Sequence, residues 1–168
     1  MKLVVDSTDG QPNAGEPELW TGTIFRDGKR IPEVEECRTV SCEHVQVRVK
    51  LPAKTWQTRS GGVHFAIRFI NGTPDDNLAL AVYRDGVRIG ASTAQVATAQ
   101  SVLIPAAANG MYHVYVLDGI AFGNTQPSPA IAYEGLAQVV YDPEESPLRD
   151  LLPELVALPQ KNITFGPP

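Results

Sequence analysis

Cysteine is scarce: Cys37 and Cys42 are the only two in 168 residues. That excludes a framework of several disulfides, and with His44 just after them the two thiols make only three of the four Cys or His ligands that a structural zinc takes. Basic side chains are outnumbered, 14 Lys and Arg against 19 Asp and Glu, for a net charge of -5. A nucleic-acid partner, which calls for a basic face, is therefore not expected. No apolar run approaches the ~20 residues of a membrane-spanning helix. The opening "MKLVVDSTDG" has one Lys and, after it, only three apolar residues before Asp6. It does not read as a signal peptide, so an export signal is expected further upstream. No Gly-x-Ser-x-Gly elbow occurs, and no stretch of the central body sustains a helical period.

What is present instead is alternation. At 43% hydrophobic and 20% charged residues the chain has the composition of a globular body. "VQVRVKL" sets Val45, Val47, Val49 and Leu51 against Gln46, Arg48 and Lys50. "GGVHFAIRFI" sets Val63, Phe65, Ile67 and Phe69 against His64 and Arg68. "GMYHVYVLDG" sets Tyr112, Val114 and Val116 against His113 and Tyr115. Each is the period-two pattern of a half-buried strand. "NLALAVYRDGVRIGAS" reads as two strands around Asp85-Gly86, a dipeptide suited to a tight hairpin turn. With "LWTGTIF", "QSVLIP" and "IAYEGLAQVVY", the count is about eight short strands separated by turn residues, the mark of an all-β sandwich or barrel. The expected fold is a jelly-roll-like antiparallel β-sandwich. Residues 1–17 read as an extended approach segment and 18–141 as the sandwich domain. Residues 142–168, with six prolines in 27 residues, read as a Pro-rich C-terminal linker.

The order of these segments resembles bacterial pre-peptidase C-terminal domains, β-sandwich modules carried by exported proteases and other secreted proteins. The likeness spans roughly 18–141. Trp20 and Gly22 match the family's opening Trp-x-Gly, and Cys37 and Cys42 match a cysteine-flanked loop before a core strand. Asp75, Asp76 and Tyr83 match an acidic lead into a strand that ends in an aromatic. Asn109 to Val116 match a late Asn-Gly-x-Tyr-x-Val-x-Val strand. The resemblance implies an accessory domain with a cation site in the acidic loop. Asn77, Ala79 and Ala81 stand around the place where the family carries a further Asp, and the fold is accordingly expected not to depend on calcium.

"EECRTVSCEH" poses the first chemical question. A local disulfide needs its two Cα atoms within about 7 Å, which a six-residue loop permits. A Cys37–Cys42 disulfide is the expectation, with free buried thiols and a metal site as the alternatives; a disulfide would place the domain in an oxidising compartment. "TPDDN" could offer Asp75, Asp76 and Asn77 to calcium, helped by Asp85 or Asp118. A turn built from Pro and Asx residues explains the same letters without an ion. The three histidines, His44, His64 and His113, all lie on outward strand faces, and no nucleophile motif frames Ser41 or Ser92. A catalytic site is not expected. His64, Arg68, Tyr83, His113 and Tyr115 are the candidates for a binding face on one sheet, against ordinary cross-strand pairing. Trp20 and Trp56 read as core or edge packing.

Together these readings describe a non-catalytic accessory or binding module of a secreted bacterial protein. It would position a neighbouring domain of the same polypeptide near a surface polymer, protein or glycan. The alternatives are a structural spacer or folding aid with no ligand, and a small hydrolase.

Overall fold

The structure, a computed structural model, describes residues 1–6, 13–25, 37, 42–71, 77–93, 98–119 and 130–142. In these residues nine strands form two sheets packed face to face. They are β1 (Lys2–Val5), β2 (Glu18–Phe25), β3 (Cys42–Val49), β4 (Gly61–Phe69), β5 (Asn77–Arg84), β6 (Val87–Ser92), β7 (Ala99–Pro105), β8 (Gly110–Gly119) and β9 (Ala130–Tyr141). A single helical turn, α1 (Thr55–Thr58), follows β3. The five-stranded sheet runs β1-β3-β8-β5-β6 and the four-stranded sheet β2-β9-β4-β7.

Alternation decides what lies between the sheets. Val45, Val47 and Val49 of β3, Phe65 and Ile67 of β4, Leu78 and Leu80 of β5, and Val114 and Val116 of β8 are all buried. The Phe65 and Tyr112 rings meet across the interface at 5.9 Å. Tyr112 is fully buried as a residue, and its hydroxyl donates to the carbonyl of Ala108 at 2.7 Å, so the phenol keeps a hydrogen bond. The β5–β6 hairpin turns at Asp85 (φ 52°) and Gly86 (φ 77°). Two successive positive φ values are what a type I′ turn requires, and Asx and Gly residues tolerate them.

The Trp-x-Gly of β2 has a packing reason. Trp20 pairs with Gly135 of β9, and a Cβ added at Gly135 would stand 2.1 Å from the indole. At Gly22 an added Cβ would meet the Glu43 carboxylate at 2.3 Å and the Tyr133 hydroxyl at 2.6 Å. Each glycine gives up a side chain so that a large one from a neighbouring strand can lie against the backbone.

The amino-terminal end corrects the sequence expectation. Lys2–Val5 is an edge strand paired in parallel with β3, and Val5 is fully buried. Lys50 N–H bonds the Val5 carbonyl at 2.9 Å. Further on, Asn13 and Gly15 exchange backbone hydrogen bonds with Tyr141 and Val139. The first 17 residues therefore include a strand and a stretch tied to β9, and among the described residues the sandwich has nine strands with one parallel pair. Four residues are too few for alternation to register, and the partner strand lies about 40 positions away. The proline-rich segment from 143 onward lies outside the described residues.

Candidate functional site

The Cys37–Cys42 disulfide is formed, with the two Cα atoms 5.1 Å apart. It closes the loop that feeds β3, whose outward residues begin the candidate site.

Across β3, β8 and β5 a set of rings covers the outer face of the five-stranded sheet. The β3–β8 register puts His44 opposite Tyr115, and the two rings stack at 4.6 Å with 8° between their planes. His113 lies one pleat along, opposite Gln46 on β3 and Tyr83 on β5. The diagonal brings His44 Nε2 to 2.8 Å from His113 Nδ1. Tyr83 meets Tyr115 edge-on at 5.6 Å. Ala81, opposite Tyr115, leaves the room that this ring occupies. His44 is exposed, while His113, Tyr115 and Tyr83 are half-buried. Partial desolvation of its ring, then the nearby His113, holds His44 below its usual pKa and favours the neutral imidazole.

The outer face of the four-stranded sheet is chemically different. Here lies a groove of about 590 Å³ lined by Leu19, Thr21, Ala66, Arg68, Glu134 and Leu136, among others. Arg68 and Glu134 stand directly opposite each other and form an ion pair. Arg68 is exposed and Glu134 about half so, and water therefore screens the pair, which contributes little to stability. His64 borders the same groove, and burial lowers its pKa.

The five residues expected to share one sheet are thus divided. Tyr83, His113 and Tyr115 lie together on the five-stranded sheet, joined by His44. His64 and Arg68 lie on the four-stranded sheet, on the other side of the sandwich. Alternation identifies an outward residue without identifying its sheet.

Sequence reasoning passed over Glu43. It follows the inward row of Val45, Val47 and Val49, and sits between the sheets beside Gly22 and Tyr133. Trp20 Nε1 donates to the Tyr133 hydroxyl at 3.3 Å, and that hydroxyl hydrogen-bonds the Glu43 side chain. Burial pushes the Glu43 pKa up, against the lowering effect of this hydrogen bond, and burial also raises the Tyr133 phenol. The signal was available: positions 43, 45, 47 and 49 share one face.

Asp75 and Asp76 lie outside the described residues, and of Asn77 only the backbone, at the start of β5, is described. Asp85 sits at the opposite end of that strand, roughly 25 Å away at ~3.3 Å per residue, and cannot join Asn77 in one ion shell. Asp118 pairs with Leu78 at the near end and is buried. Among the described residues no three His, Cys, Asp or Glu side chains gather as a metal site. Ser92 bonds Gln100 rather than a histidine, and Ser41 lies outside the described residues. Trp20 is buried, whereas Trp56 is half-buried and donates to the Ala107 carbonyl at 2.8 Å; both serve packing.

No helix among the described residues is long and apolar enough to cross a membrane. No protein-family model matches the chain, and no curated protein does. Among solved structures, the chain is similar to the pre-peptidase C-terminal domain of a collagenase from Bacillus anthracis. The identity is 9%, the TM-score 0.46, and the match covers 82% of this chain and 94% of that one. It is also similar to a periplasmic inhibitor of g-type lysozyme from Aeromonas hydrophila, at 10% identity and a TM-score of 0.37, covering 82% of this chain and 96% of that one.

Proposed function

We propose that this domain is a non-catalytic binding module of an exported bacterial polypeptide, and that the ring face of its five-stranded sheet contacts an extracellular polymer. The observation that carries the reading is the contact among His44, His113, Tyr115 and Tyr83 on three adjacent strands. Flat rings braced against one another lose little conformational entropy on binding, and they offer both apolar faces and polar edges to a partner. The Cys37–Cys42 disulfide supports export, since such bonds persist in oxidising compartments. In this role the domain holds the neighbouring part of its own polypeptide close to the polymer. A spacer would carry the same fold with a face that binds nothing. A hydrolase would need a nucleophile and an orienting carboxylate beside an imidazole; the neighbours described for His44 and His113 are tyrosines and Gln46. Calcium has no part in the proposed role, so melting curves in millimolar calcium and in excess chelator should coincide.

Sedimentation with insoluble cell-wall polysaccharide and with insoluble fibrous protein tests the reading. Saturable retention on one of them is expected. Tyr115→Ala and Tyr83→Ala should each weaken it about tenfold, the loss of ~1.4 kcal/mol expected of an aromatic anchor. Arg68→Ala, on the other sheet, should leave it unchanged. Retention indifferent to the tyrosines, or absent on every polymer, would return the domain to the spacer reading.

A further inference from the structure

Among the described residues, two metal-ligating side chains meet in the imidazole pair of the ring face. Two ring nitrogens 2.8 Å apart, each placed at the usual ~2.0 Å from one metal, would subtend roughly 90° at it. That is the angle between neighbouring ligands in a square-planar or tetragonal complex, and it is narrower than the tetrahedral angle that zinc adopts. Copper(II) and nickel(II) favour the tetragonal arrangement, and copper(II) binds nitrogen ligands most tightly of the divalent first-row metals.

We propose that His44 Nε2 and His113 Nδ1 together form a two-nitrogen site for a divalent transition metal of tetragonal preference, copper(II) foremost. Two features prepare it. The two histidines come from adjacent strands locked in register by the β3–β8 ladder, so the backbone between them is rigid. Tyr115 stacks flat on His44 and restricts rotation of that ring. Without metal, the two nitrogens share one proton in an N–H···N hydrogen bond. With metal, the ring that supplied that proton carries it on its other nitrogen, and both lone pairs turn to the ion. Two protein ligands leave the remaining coordination positions to water or to a donor from a partner. The site stands whether or not the ring face binds a polymer, and its test uses none.

Calorimetric titration of the oxidised domain with copper(II), nickel(II) and zinc(II) is the first measurement, with electron paramagnetic resonance of the copper form as the second. The expected result is one copper per chain, a tetragonal spectrum with nitrogen hyperfine structure, and affinity in the order copper, nickel, zinc. His44→Ala and His113→Ala should each weaken copper binding by at least ~tenfold, since loss even of an outer-shell partner costs 10–100-fold. His44→Gln and His113→Gln should do the same, with circular dichroism confirming that every variant is folded. His64→Ala, on the opposite sheet, should bind as the parent does. Copper binding that survives both His44 and His113 variants, falls in His64→Ala, or does not saturate at one ion per chain overturns the proposal.

Discussion

The outer faces of the two sheets start from the same raw material, an outward row of every second residue, and arrive at different chemistry. On the five-stranded sheet the outward positions of β3, β8 and β5 carry rings that touch one another. On the four-stranded sheet the corresponding positions carry aliphatic side chains around one exposed ion pair, and they leave a groove. The difference lies in what stands opposite what. His44 faces Tyr115 and Tyr83 faces His113, so ring meets ring. On the other sheet His64 stands between Leu103 and Gln138, and its ring has no aromatic neighbour across either strand. Cross-strand pairing, more than composition, makes one side a braced ring surface and the other a shallow trough.

The largest expected effect ignores the distinction. Phe65→Ala removes a fully buried ring that lies between the sheets and should destabilise the domain by about 3–5 kcal/mol. Denaturant melts read this directly, and a change within error would mean that the sheets do not share one core. Next comes a perturbation of one sheet alone. Replacing Cys37 and Cys42 by Ser opens the six-residue loop at the head of β3, and the chain-entropy model gives a loss of about 2 kcal/mol. Amide exchange should then quicken at the start of β3 more than in β4. Equal quickening in both sheets would erase the asymmetry.

Glu43 joins the two sheets, and its effect depends on pH. Its folded-state pKa is raised, so the native state holds this proton more tightly than the unfolded chain does. The associated stability is fully present below the unfolded value near 4.5 and is lost as pH rises through the folded value. Glu43→Gln should flatten that part of the stability–pH curve. A curve of unchanged slope in the variant would show that other groups set it. The smallest effect belongs to the groove: Arg68→Ala or Glu134→Ala should change stability by no more than ~0.5 kcal/mol, because the pair is solvent-screened. A larger loss would show that the groove floor is braced as firmly as the ring face.

Strand positions were legible because burial on one face imposes alternation, and Val45 to Val49, Phe65 to Phe69 and Tyr112 to Val116 obey it. The loop disulfide was legible too, since a six-residue loop suffices for it. Sheet membership was not: His64 and His113 have the same kind of sequence surroundings, yet β4 joins β9 and β7 while β8 joins β3 and β5. Those pairings are long-range choices that no local pattern encodes. Strand β1 was missed for the same reason, its four residues meaning little without β3 beside them. His44 was recognised as outward but discounted, because its partner at 2.8 Å is 69 positions away. Glu43 was passed over because a carboxylate in a strand is first read as solvated charge, although its parity placed it inside.

The hydrogen bond from Trp20 to Tyr133, with Glu43 next in line, also gives the domain an optical handle. Trp20 is buried between the sheets, whereas Trp56 is half-buried in α1 with Tyr141 at 5.9 Å. The two indoles therefore sit in unlike dielectric surroundings and should fluoresce at different wavelengths, with Trp20 the bluer. In a Trp56→Phe background the remaining emission would come from a fluorophore whose N–H leads through one phenol to a titrating carboxylate. Protonation of Glu43 should be visible as a change in the brightness or lifetime of a native chromophore, without any label.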